Sequence, residues 1–169
     1  MGWMKDETGL DKCAANFVPL TPLSHLRRAV QIYPDYEALV YGETRRSYRE
    51  YHARVTQLAS ALKNLGLRPG DVVATLLPNV PAHVEAHFGV PASGAVLNAI
   101  NTRLEPDTIS YIFGHGEAQL ALVDTALLPL AEAAIARMKG KGPQIVEVAD
   151  PQAGYPATGR YLEYEDFLA

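Results

Sequence analysis

The chain has 169 residues, 48% of them hydrophobic and 20% charged, a composition that is typical of a globular domain with a buried core. Its net charge of −4 and its scattered basic residues argue against nucleic acid as a partner, and its single cysteine excludes an intrachain disulfide and any multi-cysteine metal site. No stretch approaches the roughly 18 consecutive apolar residues of a membrane span, and the first residues lack a secretory-signal pattern, so we expect a soluble, cytoplasmic protein.

The first part of the chain predicts a mobile segment, a short helix and a hairpin. Residues 1–20 are expected to be mobile. A helix is predicted to begin at Thr21, where a capping residue precedes a proline, and to end before Pro34. The stretch "EALVYGETRRSY", residues 37–48, predicts two extended runs that turn around Gly42.

A capping box marks the start of the clearest helix. Ser47 is followed three residues later by Glu50, so each side chain can satisfy a backbone N–H at the helix start. Apolar residues recur at helical spacing behind this box up to Gly66, a residue type that is common just after a helix end. The pattern predicts one long helix with an apolar face.

From Pro69 onward, short aliphatic runs alternate with helical segments at a spacing of roughly 25 residues, which suits βαβ units. The runs occupy residues 72–77, 95–100, 120–124 and 145–148. Near-continuous apolar strands are buried on both faces, so we predict an α/β fold, an open doubly wound, largely parallel sheet with helices on both faces. We expect residues 21–149 to form this unit and residues 150–169 to be a connecting segment.

Polar residues that follow the predicted strands mark where a ligand would bind. In open α/β sheets, ligands occupy the crevice beyond the carboxyl ends of the strands. Pro78 and Asn79, residues 101–103, and Asp124 stand at these positions. Asp124 is better explained as the cap of the next helix, and Asn101 as a turn residue that bonds to the backbone.

The stretch "HVEAH", residues 83–87, superficially resembles a metal-binding signature. His83 and His87 lie on one helix face, but Glu85 points away from them, and the cysteines of a zinc deaminase are missing. A two-histidine site completed by a distant carboxylate is left open, although we expect no metal. The expected role of the helix is packing, with the histidines at its margin and three apolar residues on the sheet: Val84, Phe88 and Val90.

Two motifs carry a resemblance to a known family. The stretches "GLRPGDVVATLLPN" and "EAHFGVPASGAVLNAINTRL" resemble the amino-terminal part of the AMP-forming acyl-CoA ligases of the acyl-adenylating superfamily. The resemblance extends from about Thr21 to about Asp124 with the usual spacing. The second motif is more similar to the short- and medium-chain fatty acyl-CoA ligases than to the acetate or aryl branches.

The resemblance implies an activity for the parent enzyme. Members of this family use ATP and Mg²⁺ to convert a carboxylic acid to an acyl-adenylate and pyrophosphate, and then transfer the acyl group to coenzyme A. The family's phosphate loop, its adenine-binding segment, its ribose-binding aspartate and its carboxy-terminal lysine have no counterpart in this sequence. We therefore expect an amino-terminal portion that is inactive alone and binds none of these cofactors tightly.

The resemblance also assigns residues and partners. It places Arg103 of the N-x-R-L motif near the phosphates of CoA, whereas the alternative is an arginine that caps backbone carbonyls or pairs with Glu105. It places His87 and Phe88 at the margin of the acyl pocket, where packing is the alternative. The implied partners are a fatty acid or another carboxylic acid and CoA, and a homodimer is a further expected assembly. The alternative to a ligase is a stand-alone, non-catalytic α/β domain that binds a partner or a ligand.

Overall fold

The computed structural model describes Gly9 and residues 11–169, so the prediction for residues 1–20 lies in part outside the described residues and stays a prediction. The elements that precede the main sheet are α1 (Pro22–Ile32), β1 (Glu37–Tyr41), β2 (Thr44–Ser47) and α2 (Tyr48–Asn64). β1 and β2 pair antiparallel, and Gly42 in their turn has a φ of 53°, a left-handed conformation that favours glycine. The predicted hairpin is therefore confirmed.

The two helix starts predicted from capping residues differ in the structure. At α2, Ser47 Oγ accepts a hydrogen bond from the backbone N–H of Glu50, and the Ser47 N–H donates to Glu50 Oε2 at 2.7 Å. At α1, the Thr21 side chain makes no bond to the backbone of the first turn, and its hydroxyl lies 3.3 Å from that of Ser24. The capping box is confirmed, whereas the side-chain cap at Thr21 is wrong.

The main sheet is parallel and has helices on both faces. Its strands are β3 (Val72–Leu76), β4 (Val96–Ala99), β5 (Ala118–Asp124), β6 (Gln144–Val148) and β7 (Leu162–Glu163), in the spatial order β4-β3-β5-β6-β7. The helices between and after them are α3 (Pro81–Ser93), α4 (Pro106–His115), α5 (Leu128–Ile135) and α6 (Tyr164–Leu168). Short 3₁₀ turns span Thr125–Leu127 and Pro151–Ala153. The predicted α/β class is confirmed.

Alternate side chains of the strands face two different helical layers. On one face, Val73 and Val146 pack with residues of α2, α3 and α6. On the other face, Ala74 and Ile145 pack with residues of α4 and α5. Because both faces of each inner strand are covered, the strands are apolar along almost their whole length, as the sequence showed.

Helix α3 packs through small residues rather than through its large ones. Its buried positions include Ala82, Ala86 and Gly89, and a Cβ atom on Gly89 would lie 2.6 Å from a methyl carbon of Leu58 on α2. This absence of side-chain bulk lets α2 and α3 approach closely. The expectation that Val84 and Phe88 pack on the sheet is wrong, because Val84 is exposed and Phe88 packs edge-on against Tyr51 of α2. The same expectation for Val90 is confirmed.

The segment from residue 150 to residue 169 adds to the same sheet. β7 pairs parallel with β6, and Tyr164 and Leu168 of α6 are buried in the layer that contains α2 and α3. The domain boundary predicted at residues 149 and 150 stays a prediction, but this segment contributes a strand and a helix to the fold. Within the described part of the chain, no helix is long and apolar enough to cross a membrane.

Candidate functional site

The strand order identifies the edge at which a ligand would bind. The chain winds from β3 outward to β4 and then returns across β3 to β5, so the winding direction reverses between β3 and β5. In open parallel sheets, ligands bind beyond the carboxyl ends of the strands at such a reversal. We call this region the switch-point crevice and define it by residues 77–80, 101–103 and 124–125, which follow β3, β4 and β5. The segments that the sequence singled out therefore meet at one edge.

A histidine holds the loop that follows β3. The His83 ring contacts the Pro78 carbonyl oxygen through Nδ1 at 3.1 Å and the Thr75 hydroxyl through Nε2 at 3.4 Å. Burial lowers the pKa of His83 below its ordinary value of 6.5, and repulsion from a charge on His87 lowers it further. The hydrogen bond to Pro78 acts in the opposite direction, but the net shift favours the neutral imidazole, in which one nitrogen donates and the other accepts.

The loop that follows β4 presents Arg103 to solvent. Asn101 Oδ1 accepts a hydrogen bond from the backbone N–H of Arg103 at 2.9 Å, so the predicted turn role of Asn101 is confirmed. The guanidinium of Arg103 is exposed, and the described residues provide it with neither an ion pair nor a hydrogen-bond acceptor; in particular, the alternative pairing with Glu105 is not formed. Its five N–H donors are therefore available to an anion.

The residue that ends β5 is a cap. Asp124 Oδ1 accepts from the backbone N–H of Ala126 at 2.8 Å, which confirms the capping role expected from the sequence. Burial raises the pKa of Asp124 above its ordinary value, and the charge of Asp150 raises it further, although the bond from Ala126 acts in the opposite direction. Asp124 thus ends the strand and starts the next turn.

A cavity of about 270 Å³ adjoins the crevice beneath the hairpin. Its walls are the start of α3 with its cap residue (residues 80–82), the end of β6 and the segment that follows it (residues 148–152), and the junction of β7 and α6 (residues 163–165). Three side chains of the hairpin and α2 complete the lining: Tyr41, Arg46 and Arg54. The Tyr41 hydroxyl donates to Asp150, and this bond, together with burial, raises the pKa of Tyr41 to about 12. A larger cavity of about 1140 Å³ lies at the opposite, amino-terminal edge of the sheet, and none of the predicted site residues lines it.

A fully buried carboxylate connects the elements around the smaller cavity. Glu85 accepts hydrogen bonds from Arg46, from Nε of Arg54 at 3.0 Å and from the Tyr164 hydroxyl at 2.8 Å. Arg54 also binds Glu165 at 2.6 Å. Burial lowers the pKa of Arg54, but the hydrogen bonds to Glu165 and Glu85 outweigh it and raise that pKa above its ordinary value. The buried charges are therefore paired, as buried ions in proteins must be.

Sequence reasoning noticed only that Glu85 points away from the histidines. A signal for its burial was present, because Ala82, Glu85, Ala86 and Gly89 recur at helical spacing and form the small-residue face of α3. A second buried carboxylate, Glu147 on β6, was missed as well. It accepts hydrogen bonds from the hydroxyls of Thr125 at 2.9 Å and Thr158 at 2.8 Å.

The two residues expected at the acyl pocket lie on the outer part of α3. His87 is exposed, and its Nδ1–H donates to the His83 carbonyl at 2.7 Å. Phe88 packs in a cluster with Leu26 of α1 and Val55 of α2. Their role at an acyl pocket stays a prediction. Across Gly9 and residues 11–169, no group of three His, Cys, Asp or Glu side chains is placed to hold a metal ion.

Comparisons with known proteins agree on one family. A family model described as AMP-binding enzyme matches residues 26–162. The peroxisomal acetate/butyrate–CoA ligase of Arabidopsis thaliana is 36% identical over 176 aligned positions, which cover 98% of this chain and 31% of the relative. The peroxisomal trans-cinnamate:CoA ligase of Petunia hybrida is 47% identical over 126 positions, which cover 75% of this chain and 22% of the relative.

A solved structure supports the same relationship. The anthranilate CoA ligase AuaEII in complex with anthranoyl-AMP superimposes with a TM-score of 0.78 at 27% identity. The superposition covers 89% of this chain and 28% of that enzyme. The chain thus spans less than a third of the length of each of these three proteins.

Proposed function

The chain belongs to the family of AMP-binding enzymes, and on that premise we propose that it acts as part of a longer acyl-CoA ligase. The observation that carries the proposal is that two relatives, whose alignments cover 98% and 75% of this chain, are named as CoA ligases of acetate or butyrate and of trans-cinnamate. In the proposed reaction, the carboxylate attacks the α-phosphorus of ATP, pyrophosphate leaves, and an acyl-adenylate forms. The sulfur of CoA then attacks the acyl carbonyl, and AMP leaves as the C–O bond breaks.

The proposed part of this chain in that reaction is to shape one side of the substrate site. Arg103 at the switch-point crevice is proposed to bind a CoA phosphate, because a guanidinium can donate two parallel hydrogen bonds to phosphate oxygens. His87 and Phe88 are proposed to border the acyl site from α3. The described residues do not fit a Mg²⁺ site, and we assign the metal to none of them.

We further propose that the substrate is a short- or medium-chain fatty acid and that the 169-residue chain alone does not adenylate it. The resemblance of the stretch "EAHFGVPASGAVLNAINTRL" to the short- and medium-chain ligases supports a fatty acid as the substrate. The word butyrate in the name of the Arabidopsis relative supports it as well. The name of the Petunia relative specifies trans-cinnamate, so an aryl acid is the competing substrate class. We propose that the 169-residue chain is inactive by itself because the family's phosphate loop, adenine-binding segment, ribose-binding aspartate and carboxy-terminal lysine have no counterpart in its sequence.

Compartment and assembly are proposed from the sequence alone. We propose a cytoplasmic location, while the names of both plant relatives specify peroxisomes. Microscopy of the tagged natural protein distinguishes these compartments. We also propose a homodimer, and a measurement of the molecular mass of the natural protein in solution tests this proposal.

The test of the proposed function is product analysis by mass spectrometry. The natural protein that contains this chain is incubated with ATP, Mg²⁺, CoA and one acid from a panel of acetate, butyrate, hexanoate, octanoate and trans-cinnamate. We expect an acyl-CoA thioester from a short- or medium-chain fatty acid, with AMP formed in equal amount. A thioester from cinnamate alone would overturn the fatty-acid proposal, and the absence of any thioester would overturn the ligase proposal.

A further inference from the structure

The β1–β2 hairpin is attached to the rest of the protein more firmly at its base than at its tip. At the base, the N–H of Tyr48 donates to the Tyr36 carbonyl at 2.9 Å, which joins the residue before β1 to the first residue of α2. Arg46, near the end of β2, forms the ion pair with the fully buried Glu85. Leu39, in the middle of β1, is buried as well. The hairpin base is therefore fixed to α2 and α3.

The hairpin tip, residues 41–44, is held mainly by one side chain of the segment that follows β6. Gln152 Oε1 accepts from the Glu43 N–H at 3.1 Å, and Gln152 Nε2 donates to the Thr44 hydroxyl at 2.8 Å. A Cβ atom on Gly42 would lie 2.2 Å from Gln152 Oε1, so glycine is what admits this side chain against the turn. Both hydrogen bonds are exposed, so water competes for the same donors and acceptors.

Tyr41 closes the cavity from the side of the tip. Its ring is half-buried and packs against the main core, and its hydroxyl donates to Asp150. Tyr41 lines the 270 Å³ cavity from the tip, while Asp150 and Gln152 line it from the segment that receives the tip. A movement of the tip would therefore separate two walls of the cavity. The packing of the ring favours the closed position, so the open form is the minor one.

The walls of the cavity indicate what could enter it. Val80, Ala82 and Val148 contribute buried apolar side chains to the lining. The charged side chains of the lining already have partners within the closed protein. A small, uncharged molecule with an apolar body is therefore the expected guest, because it displaces none of these partners.

We propose that the hairpin tip is a lid over the 270 Å³ cavity, which opens at Gln152 and Asp150 while the hairpin base stays attached to α2 and α3. In the open form, the cavity admits a small uncharged molecule from solvent. In the closed form, Tyr41 shields it. Because the cavity adjoins the switch-point crevice, the lid gives that region an entrance of its own. No catalytic step enters this proposal, so it does not depend on the proposed ligase function.

The first arm of the test measures access to the cavity through a cysteine in its wall. The natural protein with Val148→Cys is exposed to methyl methanethiosulfonate, a small neutral thiol reagent, and peptide mass spectrometry follows the modification. Val148 is 4% exposed and lines the cavity. Val146 is fully buried on the same face of β6 but lies outside the cavity wall, so Val146→Cys reports unfolding of the sheet. We expect Val148→Cys to react at least tenfold faster than Val146→Cys, and equal rates would overturn the lid.

The second arm weakens the contact that closes the lid. Gln152→Ala removes both hydrogen bonds to the tip, so it should raise the modification rate of Val148→Cys threefold or more and leave that of Val146→Cys unchanged. Gln31→Ala removes an exposed glutamine of α1 and is the matched control, which should change neither rate. An unchanged rate for Val148→Cys, or an equal rise for both cysteines, would contradict the proposal.

Hydrogen exchange of the natural protein and Gln152→Ala locates the motion and needs no cysteine, so it remains decisive even if Val148→Cys does not fold. We expect faster exchange at residues 41–44 in Gln152→Ala and unchanged exchange at residues 46–52, which contain the end of β2 and the start of α2. Faster exchange of both segments would mean that the whole hairpin detaches, and a lid on a fixed base would then be wrong.

Discussion

Arg103 presents an exposed guanidinium at the switch-point crevice. Asn101 accepts a hydrogen bond from the backbone N–H of Arg103, yet the guanidinium makes no ion pair within the described part of the chain. A structural arginine would normally use its donors on carbonyls or carboxylates. The geometry is therefore compatible with the anion-binding role that the resemblance implied, and it removes the pairing with Glu105.

Replacement of Arg103 by alanine should affect one substrate more than the others. In the natural protein, we expect Arg103→Ala to raise the KM for CoA by about tenfold, since loss of a charged hydrogen bond costs about 1.5–3 kcal/mol. The KM for ATP should change little. Steady-state kinetics with each substrate varied in turn measures both values.

The control for this variant is Arg28→Ala, because Arg28 is exposed on α1 and distant in sequence from the crevice motifs. Arg28→Ala should leave both KM values unchanged. If Arg103→Ala raises the KM for ATP and CoA equally, Arg103 has a structural role and its assignment to CoA is wrong.

At the scale of elements, α3 is the junction of the candidate site. Through Glu85 it binds Arg46 of the hairpin, Arg54 of α2 and Tyr164 of α6, so four elements share one buried carboxylate. If that carboxylate were neutralised, the largely covered guanidiniums of Arg46 and Arg54 would lose its negative charge, and Arg54 would keep only Glu165 as an anionic partner. The 270 Å³ cavity is lined by three of the same residues, so its shape depends on this network.

Neutralising the buried Glu85 should destabilise the fold far more than neutralising the exposed Glu165. We expect Glu85→Gln to lower the free energy of unfolding by about 3 kcal/mol or more, because removing one partner of a buried ion pair leaves uncompensated charge. Glu165→Gln removes the other carboxylate on Arg54, but that side chain is 58% exposed, and its loss should cost less than about 1 kcal/mol. Urea denaturation of the natural protein and both variants measures the difference. Similar losses in the two variants would show that the buried network does not hold these elements together.

Local sequence patterns predicted the elements well where the physics is local. The capping box at Ser47 was correct because both of its bonds lie within four residues. The packing of α3 was less predictable, since the helix is apolar on most of its surface and its buried face is chosen by how closely α2 can approach. The partners of Glu85 could not be read locally, because Arg46, Arg54 and Tyr164 are 39, 31 and 79 positions away.

At the scale of the whole molecule, the class of the fold was predictable and the order of its strands was not. Short apolar runs with helical connections indicate a parallel sheet, but the reversal between β3 and β5 depends on contacts among distant segments. The same limitation applies to residues 150–169, whose two-residue strand β7 has too little pattern to reveal that it extends the sheet.

The chain carries the fold and family membership of AMP-binding enzymes, while the ligase activity itself is the central proposal. Adenylation has a distinctive signature, because the acyl-adenylate step is reversible and returns labelled pyrophosphate to ATP before CoA takes part. A stand-alone binding domain has no such exchange. The carboxylic acid must be present, since it is the nucleophile that forms the adenylate.

The most direct measurement is therefore acid-dependent exchange of labelled pyrophosphate into ATP by the natural protein, without CoA. We predict exchange with butyrate or another fatty acid of the panel, none when the acid is omitted, and none with the 169-residue chain alone. Exchange by that chain alone would show that the proposed inactivity is wrong. Absence of exchange with every acid, in a folded natural protein, would contradict the proposal that the chain is part of an acyl-CoA ligase.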